Sequence, residues 1–204
     1  MALGRVLPER IKATSWGRKH ADSLYDANVL IVGGGGITEE LIKLLGPFRA
    51  NITVVRNRQI PLEGAAKVTT LKHLDAELAM ADWVILACSL TDKTRGLLDQ
   101  RRFSQMKSTA YLVNIARGAV VVTEDLVLAL NSGLIAGAGV DVTDPEPLPD
   151  GHPLWSAKNV IITPHTADTN AQVVRMFSLR IKQNLAAYQG KGDWVGLVDP
   201  ILGY

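Results

Sequence analysis

Seven short strand-like segments, apolar runs in every case but the weak 67–70 and most of them rich in β-branched residues, alternate along this sequence with segments of helical spacing. The strand-like segments are 29–32, 52–55, 67–70, 83–87, 111–114, 135–140 and 160–163. Between them, 38–45 reads as a helix closed by Gly46-Pro47. The stretch 71–80 reads as a helix with Leu71, Leu74, Leu78 and its alanines on one face. A short helix follows near 100–106, then 124–131 with a stop at Gly133, and a long one over 170–189. Strand-helix alternation of this kind demands a parallel sheet, because parallel neighbours need a crossover, and right-handed crossovers make the sheet doubly wound. The expected fold class is therefore α/β, with ligands binding at the carboxyl ends of the strands.

Composition agrees. Apolar residues make up 47% of the chain and aromatics only 5%, which suits a sheet buried on both faces. A formal charge of +2 gives no pull toward nucleic acid or an anionic membrane surface. No stretch reaches the roughly 18 apolar residues of a membrane span, and no signal-like apolar run opens the chain. Cys88 is the single cysteine, so no internal disulfide forms, and a cytoplasmic setting is expected. No His/Cys cluster suggests a metal site.

Gly33-Gly34-Gly35-Gly36-Ile37-Thr38 ends the first strong strand and opens a helix. This is the context of a dinucleotide fingerprint in a Rossmann-type sheet. The first glycine permits the tight turn, and Gly35 lets the backbone approach a pyrophosphate seated on the helix N-terminus. Thr38 replaces the usual third glycine and is expected to push the helix slightly outward. At the end of the second strand, an acidic residue normally binds the ribose diol. Here Arg56, Asn57 and Arg58 stand there. Guanidinium forks bind phosphate through charge-assisted bonds, so NADP(H) is expected to be preferred over NAD(H).

Four further segments are Leu90-Thr91-Asp92-Lys93-Thr94-Arg95-Gly96-Leu97-Leu98, Leu112-Val113-Asn114-Ile115-Ala116-Arg117-Gly118-Ala119, Gly139 through Leu148, and Thr163-Pro164-His165. In this order and spacing the chain resembles the D-isomer-specific 2-hydroxyacid dehydrogenases over about residues 28–190. The resemblance implies that Arg117 holds the carboxylate of a small 2-oxo or 2-hydroxy acid, that His165 is the general acid/base, and that Glu146 is its acidic partner. It implies that Asp141 holds the nicotinamide carboxamide and that Gly36 and Ile37 contact the pyrophosphate. Cys88 and Ser89 line the cofactor's path, and Thr94, Ile115, Ala116, Arg117 and His165 complete the cofactor-binding set. The chemistry is coherent: histidine titrates near neutrality, a carboxylate stabilises imidazolium, and arginine offers two parallel donors to a carboxylate.

The resemblance further implies three parts. Residues 1–27 are an inter-domain helix and linker, 28–168 the dinucleotide-binding domain, and 169–204 a C-terminal helix and tail that belong with the substrate domain. It also implies that the first segment of the substrate domain is absent, and that two copies associate as a homodimer. The alternative is a non-catalytic cofactor-binding sensor or association module of the same fold. A short-chain dehydrogenase is disfavoured, since none of Tyr25, Tyr111 and Tyr188 is followed four residues later by lysine.

Overall fold

The structure, a computed structural model, describes residues 23–167 and 170–200. The inter-domain helix and linker expected over 1–27 lie outside the described residues as far as residue 22, as do residues 168–169 and the last four. Contacts divide the chain into two compact units, with the boundary between Pro164 and His165.

The first unit is a seven-stranded, all-parallel sheet. Its strands are β1 (Asn28–Val32), β2 (Asn51–Val55), β3 (Lys67–Thr69), β4 (Trp83–Leu86), β5 (Tyr111–Asn114), β6 (Gly137–Val140) and β7 (Val160–Ile162). The spatial order is β3-β2-β1-β4-β5-β6-β7, with β1 paired in parallel to both β2 and β4. The winding direction therefore reverses between β1 and β4, the switch point at which such sheets open a ligand crevice. The fold is the expected α/β, Rossmann-type doubly wound sheet.

Helices α1 (Gly36–Leu45), α2 (Leu74–Met80), α3 (Gln100–Phe103) and α4 (Thr123–Ser132) supply crossovers within this unit. Side-chain alternation sends odd and even strand residues to opposite faces. Val29, Ile31, Ile52, Val54 and Ile85 join one core, with Trp83 stacked on Tyr111 at a centroid distance of 4.6 Å. Leu30, Val32, Val84, Leu86, Leu112 and Val140 join the other, with Leu74, Leu78 and Phe103. Burial on both faces explains why the central strands read as unbroken apolar runs.

Some expectations needed revision. The 71–80 helix starts as a 3-10 turn over Leu71–His73, and its α portion begins only at Leu74. Leu74 and Leu78 are buried as expected, but Ala76 and Ala79 are exposed. Alanine loses little when solvated, so its position says little about a helix's inner face. The sixth strand starts at Gly137, two residues later than its apolar run. The 143–153 loop ends in a 3-10 turn over Pro153–Ser156. Gly133 does stop α4, in the left-handed conformation at φ 74°.

In the second unit, α5 spans Asn170–Tyr188. The following tail is tied back to it, as Asn184 donates to the Val195 carbonyl and accepts from the Val195 amide at 3.1 and 2.9 Å. Val174, Met176, Phe177, Ile181 and Leu185 of this helix are exposed.

Among the described residues, no helix is long and apolar enough to cross a membrane. No group of His, Cys, Asp and Glu among them could hold a metal ion.

Candidate active site

The carboxyl ends of the strands carry most of the residues singled out by sequence. At the switch point, the Gly33 amide donates to Val55 and the Ala87 amide to Val32, both at 2.8 Å. Gly33 has φ 123°, and a Cβ on it would lie 2.4 Å from the Ala87 carbonyl oxygen. Both conformation and space thus require glycine here. In contrast, a Cβ on Gly35 or Gly36 would meet nothing within 4 Å. Gly35 caps α1 with no side-chain acceptor on the first-turn amides, and Glu39 is the first-turn acid. Outward-facing amides and open space above two glycines form a cradle that fits a pyrophosphate. Ile37 beside it is 55% exposed, a large apolar side chain left at the rim.

Thr38 lies between the helix and the glycine turn. It is fully buried, and its hydroxyl donates to the Gly33 carbonyl at 3.1 Å. The threonine closes the glycine turn with a hydrogen bond inside the helix–strand interface, which supplies a contact that a third glycine lacks.

Arg56 is half-buried at the end of β2, its amide donating to the Thr69 carbonyl at 2.9 Å. Its side chain runs against Gly34. Asn57 and Arg58 follow it on the surface. After β4, Cys88 is half-buried, and burial pushes its thiol up to about 11. Ser89 is exposed, and its carbonyl accepts the Thr94 hydroxyl at 2.7 Å. The same hydroxyl accepts from the Thr91 amide at 2.8 Å, so the buried Thr94 folds its own loop.

The loop after β5 presents Arg117. Asn114 is 1% exposed; its side-chain oxygen accepts from the Ala116 amide at 3.0 Å and its side-chain nitrogen donates to the Arg117 carbonyl at 3.1 Å. That pair of local bonds makes the turn. It leaves the Arg117 side chain exposed, with Nη1 donating to the Ala116 carbonyl at 2.7 Å. Ile115 is half-buried and Ala116 buried.

This loop is locked to the one after β6. An ideal Cβ on Gly118 would stand only 1.9 Å from the Thr143 carbonyl oxygen. Thr123 at the start of α4 donates to the Asp144 carbonyl at 2.6 Å. Glu146 is held in the second loop, its carboxylate accepting from the Thr143 amide at 3.3 Å. Arg117 and Glu146 therefore stand on two loops joined by backbone contact. At the root of the second loop, Asp141 is 8% exposed and accepts the Thr163 hydroxyl at 2.5 Å, which links the ends of β6 and β7. His165 opens the second unit as an exposed residue with φ 52°. That conformation is uncommon outside glycine and concentrates at functional sites.

Sequence reasoning did not single out Asn114, Gly34, Thr123 or Thr143, all of which position others. Asn114 had a signal: an asparagine closing a strand, whose side chain can bond backbone two to three residues on.

The family model described as "D-isomer specific 2-hydroxyacid dehydrogenase, NAD binding domain" matches residues 5–167. A Corynebacterium melassecola relative, described as an uncharacterized protein in the proB 3′ region, is 40% identical over 200 residues, covering 98% of this chain and 64% of its own. The human glyoxylate reductase/hydroxypyruvate reductase is 41% identical over 165 residues, covering 80% of this chain and 50% of its own. The chain thus spans about half to two thirds of the length of these relatives. Among solved structures, a D-isomer specific 2-hydroxyacid dehydrogenase from Xanthobacter autotrophicus Py2, in complex with NADPH and MES, superposes with a TM-score of 0.87. It is 31% identical, over 98% of this chain and 84% of that one.

Proposed function

Since this chain belongs to the D-isomer specific 2-hydroxyacid dehydrogenase family through its NAD-binding domain, we propose that it acts in the NAD(P)-dependent reduction of a small 2-oxo acid to the D-2-hydroxy acid. The observation that carries the reading is the join between the Arg117 and Glu146 loops at the carboxyl ends of β5 and β6, at the same end of the sheet as the glycine cradle of β1, with β4 between them. Gly33, Gly35, Gly36 and Ile37 would hold the pyrophosphate side of a nicotinamide cofactor and Asp141 its carboxamide, and the bound cofactor would supply the hydride that the ketone carbon gains. Arg117 holds the substrate carboxylate with two parallel donors. His165 gives its proton to the carbonyl oxygen as the alcohol forms, with Glu146 as its acidic partner on this reading. Cys88, Ser89, Thr94, Ile115 and Ala116 shape the cofactor's path and the adjoining loops.

NADPH is the preferred carrier on this reading, because Arg56 and Arg58 offer guanidinium groups to a 2′-phosphate where a carboxylate would repel one. The chain associates as a homodimer through its cofactor domain on this reading. Residues 1–27 join the two domains, and 169–204 pack with the substrate domain.

Calorimetric titration with NADPH and NADH, followed by turnover of glyoxylate and hydroxypyruvate, tests the proposal. Binding with turnover supports the reductase. Tight binding without turnover points to the cofactor-binding module instead, and binding of neither nucleotide overturns both. Light scattering that gives a monomer at tens of micromolar would remove the dimer; stable dimers dissociate at roughly nM–μM.

A further inference from the structure

Gly34, the second glycine of the loop, is not explained by the turn. It lacks the positive φ of Gly33, so backbone conformation does not demand a glycine. Space does. An ideal Cβ on Gly34 would lie 2.7 Å from Arg56 Nε and 2.9 Å from both Cβ and Cδ of Arg56. The arginine stem lies flat along the glycine loop.

A new rotamer of Arg56 does not relieve this contact. Its Cβ is fixed by the backbone at the end of β2, where the Arg56 amide bonds Thr69 and the Val55 carbonyl receives the Gly33 amide. Any side chain at position 34 must therefore part the loop from the strand end, or drive the arginine outward. On the other side of the loop, Gly35 and Gly36 face open space. The glycine run thus has two distinct uses: 35 and 36 leave room for phosphate, and 34 leaves room for the arginine.

We propose that Gly34 is a specificity-determining position: by lacking a side chain it lets Arg56 lie along the phosphate-binding loop, poised for the 2′-phosphate of NADPH. This deepens the reading of Arg56 given above and rests on it. Held against the loop, Arg56 is half-buried as a residue, and its side chain loses less entropy on binding than a solvated one. Pushed outward, it is screened and disordered, and the preference for the 2′-phosphate falls.

The test is a double-mutant cycle on the affinity ratio of NADPH to NADH, with 2′,5′-ADP against 5′-AMP as fragments. A charge-assisted bond is worth about tenfold or more in affinity. Arg56→Ala is expected to lower the ratio by at least about tenfold, and Gly34→Ala by about tenfold. In the Arg56→Ala background, Gly34→Ala is expected to change the ratio by less than about twofold, because its effect passes through the arginine. If Arg56→Ala leaves the ratio unchanged, Arg56 is no phosphate ligand and both readings fall. If Arg56→Ala lowers the ratio but Gly34→Ala does not, or does so equally without the arginine, only the role of Gly34 falls. Should Gly34→Ala fail to fold, a crystal structure of the parent chain with 2′,5′-ADP decides. An Arg56 guanidinium on the phosphate with its stem against Gly34 supports the proposal, and one turned away from the loop overturns it.

Discussion

Replacing Gly118 with alanine should damage the site out of proportion to one methyl group. The added Cβ would sit 1.9 Å from the Thr143 oxygen and 2.0 Å from its carbonyl carbon. Real Cβ atoms approach no closer than about 3.0 Å, so the two backbone segments must separate by about 1.1 Å. Neither partner is a side chain that can rotate away. If the 143–146 segment takes the whole movement, the 2.6 Å Thr123–Asp144 hydrogen bond stretches to about 3.7 Å and is lost. Overpacking costs about 1–3 kcal/mol and the broken bond about 1 kcal/mol more. Urea denaturation should therefore show a loss of about 2–4 kcal/mol. A displacement of about 1 Å between the arginine and carboxylate loops should also lower kcat/KM for glyoxylate by about a hundredfold. Gly151→Ala is the control: that glycine has φ 75° but open space around it, so it bears only the left-handed strain of about 1–2 kcal/mol. A Gly118→Ala protein within 0.5 kcal/mol of the parent, turning over within about twofold, would refute the reasoning.

Three other outcomes follow from single features. Thr38→Val keeps the shape but removes the hydroxyl bonded to Gly33, and should cost about 1–3 kcal/mol in a denaturation midpoint; an unchanged midpoint would show the bond to be idle. Burial pushes the Asp82 carboxyl up, but the Lys107 ammonium at 2.7 Å and the Asn28 backbone and side-chain amides outweigh it, so its pKa falls below the ordinary 3.8. A lowered folded-state pKa stabilises above the unfolded value and is lost as pH drops through the folded value. Asp82→Asn should therefore cost about 0.5–1 kcal/mol at pH 7, with the two stability curves converging as pH falls through the lowered folded-state pKa; parallel curves would contradict this. Cys88, held near 11, should react with iodoacetamide at pH 7.5 at least about a hundredfold more slowly than a free thiol, and a rate like that of free cysteine would show the side chain to be exposed.

The sheet could be read from the sequence because both of its faces are covered. Val29 through Val32 and Trp83 through Leu86 are apolar without interruption, since every side chain on these segments enters one core or the other. Gly33 was equally readable, as a glycine between strand and helix has few other uses. Contacts between distant residues left no such trace. Gly34 needs Arg56 and Gly118 needs Thr143, pairs more than twenty residues apart whose meeting depends on how strand ends converge. Ala76 and Ala79 misled for another reason: a small apolar side chain tolerates water, so helical spacing alone could not orient them. Thr38 looked like a departure from a pattern, and only the direction of its hydroxyl revealed that the substitution adds a bond.

The two ends of the sheet are joined by different means. At the amino ends, Asp82 gathers Asn28 and Lys107, and Asn51 donates to Asn28, all through flexible polar side chains. At the carboxyl ends, Gly33 and Gly118 let neighbouring chain segments touch with no side chain between them, and Gly34 leaves room for the Arg56 side chain. A library randomised over the amino-end residues should yield many folded variants of graded stability, since polar side chains can exchange partners. One randomised over Gly33 and Gly118 should yield almost none, because the backbone that faces each of them cannot rotate away. On the proposed reading, altered cofactor preference in this scaffold is therefore best sought at Arg58 and Ser89, which are exposed and form none of the glycine contacts.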